Sequence, residues 1–390
     1  MAADPKRTFP RVHSLRALAA LSVVLYHGLF KAYLARHPGS PLAPFAAHLD
    51  VGVSVFFLIS AFLLYRPMVA ARLHGEPAPD TEAYGRRRVL RIVPGYWVAL
   101  IIAGLAGASY LGYPGIFSGK GTVAYFGFLQ IYSPDTSGGG IDVAWTLCVE
   151  VTFYAFLPLW TAALRRVSPR GGVRSELTAL ALLFAASLGW QALAVHATDP
   201  NGFGLAATRW IEPLPNFLDQ FAVGMALAVA SVAWKPRGRT RAAWLVAGVA
   251  FALASRLPLE HTPLSYLARH QLYTLVALGL MWPAVFGART GGRRALAFLG
   301  TISYGIYLYH VPVFVRLGRS YGLPANVPEL CAWLVAAVAI TVALAWLSWR
   351  LVERPAMRLG GQPGATSSTT LPVAPRLSIS SSASEPRSSG

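Results

Sequence analysis

Residues 15–34 read LRALAALSVVLYHGLFKAYL. At about 1.5 Å per residue, a helix of this length covers the roughly 30 Å hydrocarbon core of a bilayer. Arg16 stands at one end of the run and His27 well inside it. An ionisable side chain at membrane depth is costly to hold there and reads first as a functional group. The plainer alternative is an imidazole satisfied by a backbone carbonyl. What separates the two readings is the company His27 keeps.

The rest of the chain repeats this pattern. Of 390 residues, 55% are hydrophobic and 13% charged, about half the charged fraction of a soluble domain. The mean hydropathy is +0.48. Further apolar runs fall at 51–71, 92–111, 145–164, 177–195, 213–234, 242–257, 266–286, 296–317 and 330–350. The run 123–132 is too short to cross. The expected fold class is all-α: a polytopic transmembrane helical bundle of about ten full spans plus one re-entrant or interfacial segment.

Net charge is +18, with 34 Lys and Arg against 16 Asp and Glu. On a soluble chain that balance would suggest nucleic acid. Here the cations sit in short loops between apolar runs, so no nucleic-acid partner is read, and the partners at the surface are membrane lipids. Clusters at the amino terminus and at 86–91, 165–174, 235–241, 289–294 and 350–358 mark cytoplasmic ends. An even number of crossings must then separate the 86–91 and 165–174 clusters, which leaves 123–132 outside the count. The protein is expected in the cell membrane, multi-pass, with both termini cytoplasmic. Residues 1–14 form a basic cytoplasmic segment, 15–355 the membrane-embedded domain, and 356–390 a Ser/Pro/Gly-rich disordered tail. The first run is too long for a cleaved signal peptide and is read as a retained span. Two cysteines, Cys148 and Cys331, exclude a disulfide scaffold or Cys-rich metal site.

With that topology, His27, Glu150 and His310 share one depth, roughly 8–10 Å from the outer ends of their spans. Acid–base chemistry suits such a set: a neutral imidazole removes a hydroxyl proton, and a carboxylate orients it and steadies its charged form. No Gly-x-Ser-x-Gly elbow is present, so direct transfer from an activated donor is favoured over a covalent enzyme intermediate.

The chain resembles the acyltransferase-3 family of integral-membrane O-acyltransferases, which acylate surface polysaccharides, lipids and natural products. Arg16 and His27 match its first-span pair, and Gly52-Val-Ser-Val-Phe-Phe-Leu-Ile-Ser60 its second-span motif. Arg87-Arg88-Val-Leu-Arg91-Ile-Val-Pro94 matches its basic approach to span three. Trp145-Thr146-Leu147-x-x-Glu150 is similar to its Trp-Ser-Leu-Glu block, while Ser303-Tyr304-Gly-Ile-Tyr307-Leu-Tyr-His310 and Glu353-Arg354-Pro355 match its last two spans. Ala61 stands where Gly usually follows the second-span Ser, and Lys31 where some members carry an acid one turn beyond the His. No appended esterase-like domain, present in some members, is read.

The resemblance implies acyl-CoA, acetyl-CoA in the simplest case, as donor from the cytoplasm, with no metal. Arg16, Arg88 and Arg91 would bind it, since guanidinium groups grip phosphates bidentately; a positive-inside anchor is the competing reading of the last two. His27 would be the general base, Glu150 its orienting carboxylate and His310 a further catalytic residue. Glu212 and Asp219, on roughly one helix face, are expected to line the acceptor pocket, with Ser60 and Trp145 as further substrate-binding positions. The acceptor would be a hydroxyl of a sugar, lipid or natural product. A multi-pass transporter of a small polar solute is the rival, although the repeated halves of many transporters are not visible.

Overall fold

The computed structural model describes residues 9–37, 39–169, 171–198, 208–234, 238, 240–258, 262–287 and 294–361. Residues 1–8, most of the 235–241 and 289–294 basic loops, and 362–390 of the tail lie outside the described residues. Within them every regular element is helical and no strand occurs.

The long helices are α1 (Pro10–Leu25), α2 (Gly52–Leu73), α3 (Thr81–Leu105), the short α4 (Gly119–Phe126), α5 (Trp145–Val167) and α6 (Val173–Ala197). They continue as α7 (Leu218–Ala233), α8 (Thr240–Ala254), α9 (Pro263–Phe286), α10 (Arg294–Thr301), α11 (Ser303–Tyr321) and α12 (Val327–Ser348). Side-chain caps start several of them. Asp80 accepts from the Glu82 amide, Ser118 from Gly121, Thr262 from Ser265 and Asn326 from Glu329, each satisfying an otherwise orphaned first-turn donor.

Seven helices among the described residues are long and apolar enough to cross a membrane, or eight if the bent pair α10–α11 is one span. The expected ten are not reached for two local reasons. Helix α8 is apolar but only 15 residues long. Helix α9 has 24 residues, but its first half carries Arg269, His270 and Gln271. The run 296–317 is not one straight rod: α10 and α11 meet at 73°, with Ser303 Oγ donating to the Gly300 carbonyl at the corner. Segment 123–132 folds as the end of α4 and a 3-10 turn, Gln130–Tyr132. Protein groups satisfy its polar atoms: Tyr96 donates to the Tyr125 carbonyl, Trp97 to Phe126, and Thr136 to Gln130. Non-helical backbone within a membrane requires such cover.

Helices α2 and α7 form the centre. Each is 67% buried over its apolar window, against 33% or less for α3, α5, α6 and α12. They touch through small residues, as membrane helices commonly do. A Cβ on Gly224 would lie 2.6 Å from the Leu58 carbonyl oxygen and 2.7 Å from Ala61. With Ala61 in place of the usual Gly on α2, it is Gly224 on α7 that lets the two helices approach closely. Helices α1, α5, α6 and α9 pack against this pair, α11 packs on α1, and α3 packs on α11 and α5; α1, α3, α5, α9 and α11 carry the site.

Candidate active site

Helix α1 does not end at Leu25. It runs on as a π turn, Tyr26–Lys31, a widening often found at functional positions. The turn seats His27 against α11. His27 Nδ1 lies 3.0 Å from the Val23 carbonyl oxygen and 3.3 Å from His310 Nε2. His310 Nδ1 lies 2.8 Å from the Tyr307 carbonyl. A carbonyl only accepts, so both Nδ1 atoms carry hydrogen and both Nε2 atoms carry lone pairs. His27 Nδ1–H is then shared between Val23 and His310. His27 Nε2 has no hydrogen-bond partner among the described residues, and the ring lines a cavity of about 380 Å³.

A second, narrower cleft of about 80 Å³ is lined by Arg16, Arg88, Arg91, Ser60, Glu150 and Tyr154, among others. Glu150 accepts from Ser60 Oγ at 2.8 Å and from the Tyr154 hydroxyl at 2.7 Å. No carboxylate pairs within 4.0 Å with any of the three arginines among the described residues. Arg16 Nε reaches Ser303 Oγ at 3.4 Å, Arg91 contacts Met357 Sδ, and Arg88 Nε is buried without a partner. Guanidinium groups in a concave, partly dry site with no carboxylate in direct contact make a receptor for anions.

The two cavities adjoin. Val53 of α2 and Tyr307 of α11 line both. The Tyr307 hydroxyl accepts from Thr146 Oγ1 at 3.0 Å and donates to the Val143 carbonyl at 3.2 Å. It ties α11 to the start of α5 at the dividing wall.

The structure thus brings His27 to His310, and Glu150 to Ser60 and the arginines. It does not join His27 to Glu150, which the shared depth suggested as partners. Depth fixes position along a helix but not its face. Helix α5 turns Glu150 toward α2, whereas α11 packs on α1. Glu212 and Trp145 line the histidine cavity with Lys31, Asp50, Asp142, Gln220, Arg269 and His270. Burial, reinforced by nearby Asp142, pushes the Glu212 carboxyl up to about 8. Asp219 is not on the wall. It lies fully buried behind it, with Oδ1 3.1 Å from His270 Nε2. His270 and Tyr307 as site residues escaped the sequence reading. The signal for His270 was its place among Tyr266, Arg269 and Tyr273 on one face of an otherwise apolar helix. No group of His, Cys, Asp and Glu able to hold a metal occurs among the described residues.

A sequence profile described as an acyltransferase domain matches residues 9–350. The chain belongs to the acyltransferase-3 family. Its similarity extends over nearly the full length of two curated relatives. Acyltransferase MdmB of Streptomyces mycarofaciens is 27% identical over 90% of this chain and 92% of that protein. Nodulation protein 10 of Rhizobium leguminosarum bv. viciae is 28% identical over 88% and 92%. Peptidoglycan O-acetyltransferase OatA of Listeria monocytogenes is 24% identical over 91% of this chain, which spans 57% of that longer protein. No solved structure matches the chain. The protein is accordingly a membrane acyltransferase. Most of the motifs that carry the family resemblance fall on the walls of the two adjoining cavities. Glu353-Arg354-Pro355 stands just behind them: Glu353 ends a second π turn, Trp349–Glu353, and packs beside Gly95 of α3.

Proposed function

We propose that this acyltransferase moves a short acyl group, acetyl in the simplest case, from acyl-CoA held in the arginine cleft to a hydroxyl of an acceptor held in the histidine cavity. The observation that carries the reading is the junction at Val53 and Tyr307, which puts an anion receptor next to an imidazole with a free lone pair. In this reading the arginine cleft opens to the cytoplasm, where acyl-CoA is made, and Arg16, Arg88 and Arg91 grip its phosphates. Glu150 provides the negative charge that keeps the three cations together before the donor arrives, and it shapes the cleft through Ser60.

The acceptor's hydroxyl oxygen attacks the thioester carbonyl while His27 Nε2 takes its proton. The imidazolium is steadied from behind by the His310 Nε2 lone pair. The tetrahedral adduct then expels the CoA sulfur, which receives the proton from His27 Nε2. The products are an ester and a free thiol. General-base help of this kind is worth a factor of about 10² to 10⁴. A cavity of about 380 Å³ with carboxyl, amide and imidazole groups on its wall suits a polyhydroxylated acceptor, a carbohydrate or a glycosylated metabolite. One relative's name, peptidoglycan O-acetyltransferase, supports a glycan hydroxyl as the acceptor class.

The test is incubation of the purified protein in nanodiscs with radiolabelled acetyl-CoA and extracted envelope glycans. Label should become ester-linked and alkali-labile, and His27→Ala should abolish transfer while the variant still binds acetyl-CoA. Undiminished transfer by a folded His27→Ala protein would remove the imidazole from the chemistry.

A further inference from the structure

The histidine cavity contains a second imidazole that the scheme above does not use. His270 projects from α9 onto its wall and is only 7% exposed. Its Nε2 points away from the cavity, 3.1 Å from Asp219 Oδ1, and the Gln220 side-chain amide lies 3.2 Å from the same nitrogen. Asp219 is itself fixed from two neighbouring helices: Ser187 of α6 donates to Oδ1 at 3.3 Å, and Gln271 of α9 donates to Oδ2 at 2.9 Å. A carboxylate only accepts, so His270 Nε2 carries hydrogen. The ring is further held by Phe217, with centroids 5.5 Å apart, and Tyr266 at 6.2 Å.

The other nitrogen is what this scaffold leaves over. His270 Nδ1 has no hydrogen-bond partner among the described residues, on a ring whose opposite edge is locked. Because His270 Nε2–H donates, the Gln220 amide turns its oxygen toward it, and the other end of that amide, on a residue that is 98% buried and on the same wall, is left without a partner. Buried polar atoms are nearly always paired. One such atom beside the unpaired Nδ1 of His270, in a cavity that His27 also lines, marks a place for a ligand with its own polar atoms.

We propose that His270 contacts the acceptor through Nδ1, next to the hydroxyl that reacts, and that Asp219 is its positioning residue. Gln220 completes the subsite. The ligand class is a polyol or sugar ring, whose neighbouring hydroxyl can either donate to or accept from an imidazole. His27 then activates one hydroxyl while His270 holds another, and the distance between the two rings selects which hydroxyl is acylated. The inference rests on the histidine cavity being the acceptor site.

The test exploits the geometry of amide substitutes. Asn at this position sets its amide near the place of Nδ1, and Gln sets it near the place of Nε2. The probes are methyl β-D-glucopyranoside and glycerol as acceptors, with acetyl-CoA as donor and the full chain in nanodiscs. His270→Ala and His270→Gln should raise the KM for the accepted probe by about tenfold or more, the equivalent of one lost hydrogen bond. His270→Asn should remain within a few-fold of the wild type. The KM for acetyl-CoA should stay constant in all three, and Asp219→Asn should raise the probe's KM while leaving the donor's unchanged. If instead Gln restores wild-type behaviour and Asn behaves like Ala, His270 serves only to satisfy Asp219 and the proposal fails alone. If the wild type acylates neither these probes nor envelope glycans, the acceptor reading fails, and this inference with it.

Discussion

His310 Nε2 lies 3.3 Å from His27 Nδ1, and each Nδ1 is anchored on a carbonyl of its own helix. One imidazole therefore backs the other, and the pair has a single outward lone pair, on His27. In Ser-His-Asp triads a carboxylate takes the backing role; here it falls to a neutral, fully buried ring. His310→Ala should lower kcat by about tenfold to a hundredfold, a share of the general-base factor, with little change in either KM. His310→Gln keeps an acceptor near Nε2 and should recover part of the loss. The double variant with His27→Ala should be no slower than His27→Ala alone, because groups that act as a unit are not additive. Steady-state kinetics of the four proteins decide the matter, and additive losses would separate the two rings.

Arg88 and Arg91 should act on the donor alone. Each charge-assisted hydrogen bond to a phosphate is worth about 1.5–3 kcal/mol, so Arg88→Ala with Arg91→Ala should raise the KM for acetyl-CoA by about a hundredfold or more and leave the acceptor's KM unchanged. Glu150→Gln keeps a group able to accept from Ser60 but removes the charge. It should shift the KM for acetyl-CoA and leave the acceptor's KM in place, because no hydrogen bond links Glu150 to His27. Isothermal titration with CoA gives the binding half of this prediction, and an unchanged affinity in the double arginine variant would reduce both residues to topological anchors.

How much of this was legible in the chain follows from what periodicity and depth encode. Apolar length alone gives the helical bundle, and Arg16, His27, Glu150 and His310 stand out because charge or imidazole at membrane depth is expensive. Which helix face meets which neighbour is not encoded at that level. Depth therefore pairs Glu150 with His27, whereas α5 turns it to Ser60, and helical spacing puts Asp219 on the cavity wall, whereas it stands one layer behind, holding His270. The 73° corner between α10 and α11 has no proline at the break and falls on Gly300-Thr301-Ile302-Ser303, a short cluster rich in small and polar residues inside an otherwise apolar run. Apolar length alone passes over that cluster, and the bend is fixed by what packs there, including the His13 backbone against Gly300.

Orientation across the membrane is testable at the loop between α4 and α5. Asp135 is exposed and pairs with Lys120 at 2.6 Å, and exposed pairs contribute little to stability. Asp135→Cys should therefore fold normally. Cys331 is exposed and must be removed, along with buried Cys148. In that background a membrane-impermeant maleimide should label position 135 on intact cells. Labelling only after permeabilisation would put the arginine cleft on the outside and reverse the proposed path of the donor.

Glu212 gives the pH dependence a direction. Its carboxyl lies outside the apolar spans, between Thr208–Ile211 and α7, and titrates near 8 when folded against an ordinary 4.5. The cause is first burial and then the charge of Asp142. A raised carboxyl pKa means that the folded protein binds the proton more tightly than the unfolded chain. The contribution to stability is fully present below about 4.5 and is lost as the pH rises through 8. Gln mimics the protonated acid and cannot ionise. The melting temperature of the wild type should therefore fall relative to Glu212→Gln between about pH 5 and 8.5, and the two curves should run parallel above that window. Function should follow the same group. Below pH 8 Glu212 is a hydrogen-bond donor on the acceptor wall, and above it a second negative charge stands beside Asp142. The KM for a sugar acceptor should rise on the alkaline side in the wild type and stay flat in Glu212→Gln, while the KM for acetyl-CoA tracks neither. Thermal melts and acceptor titrations from pH 5 to 9 measure both effects, and identical profiles for the two proteins would mean that Glu212 ionises as an ordinary surface carboxylate.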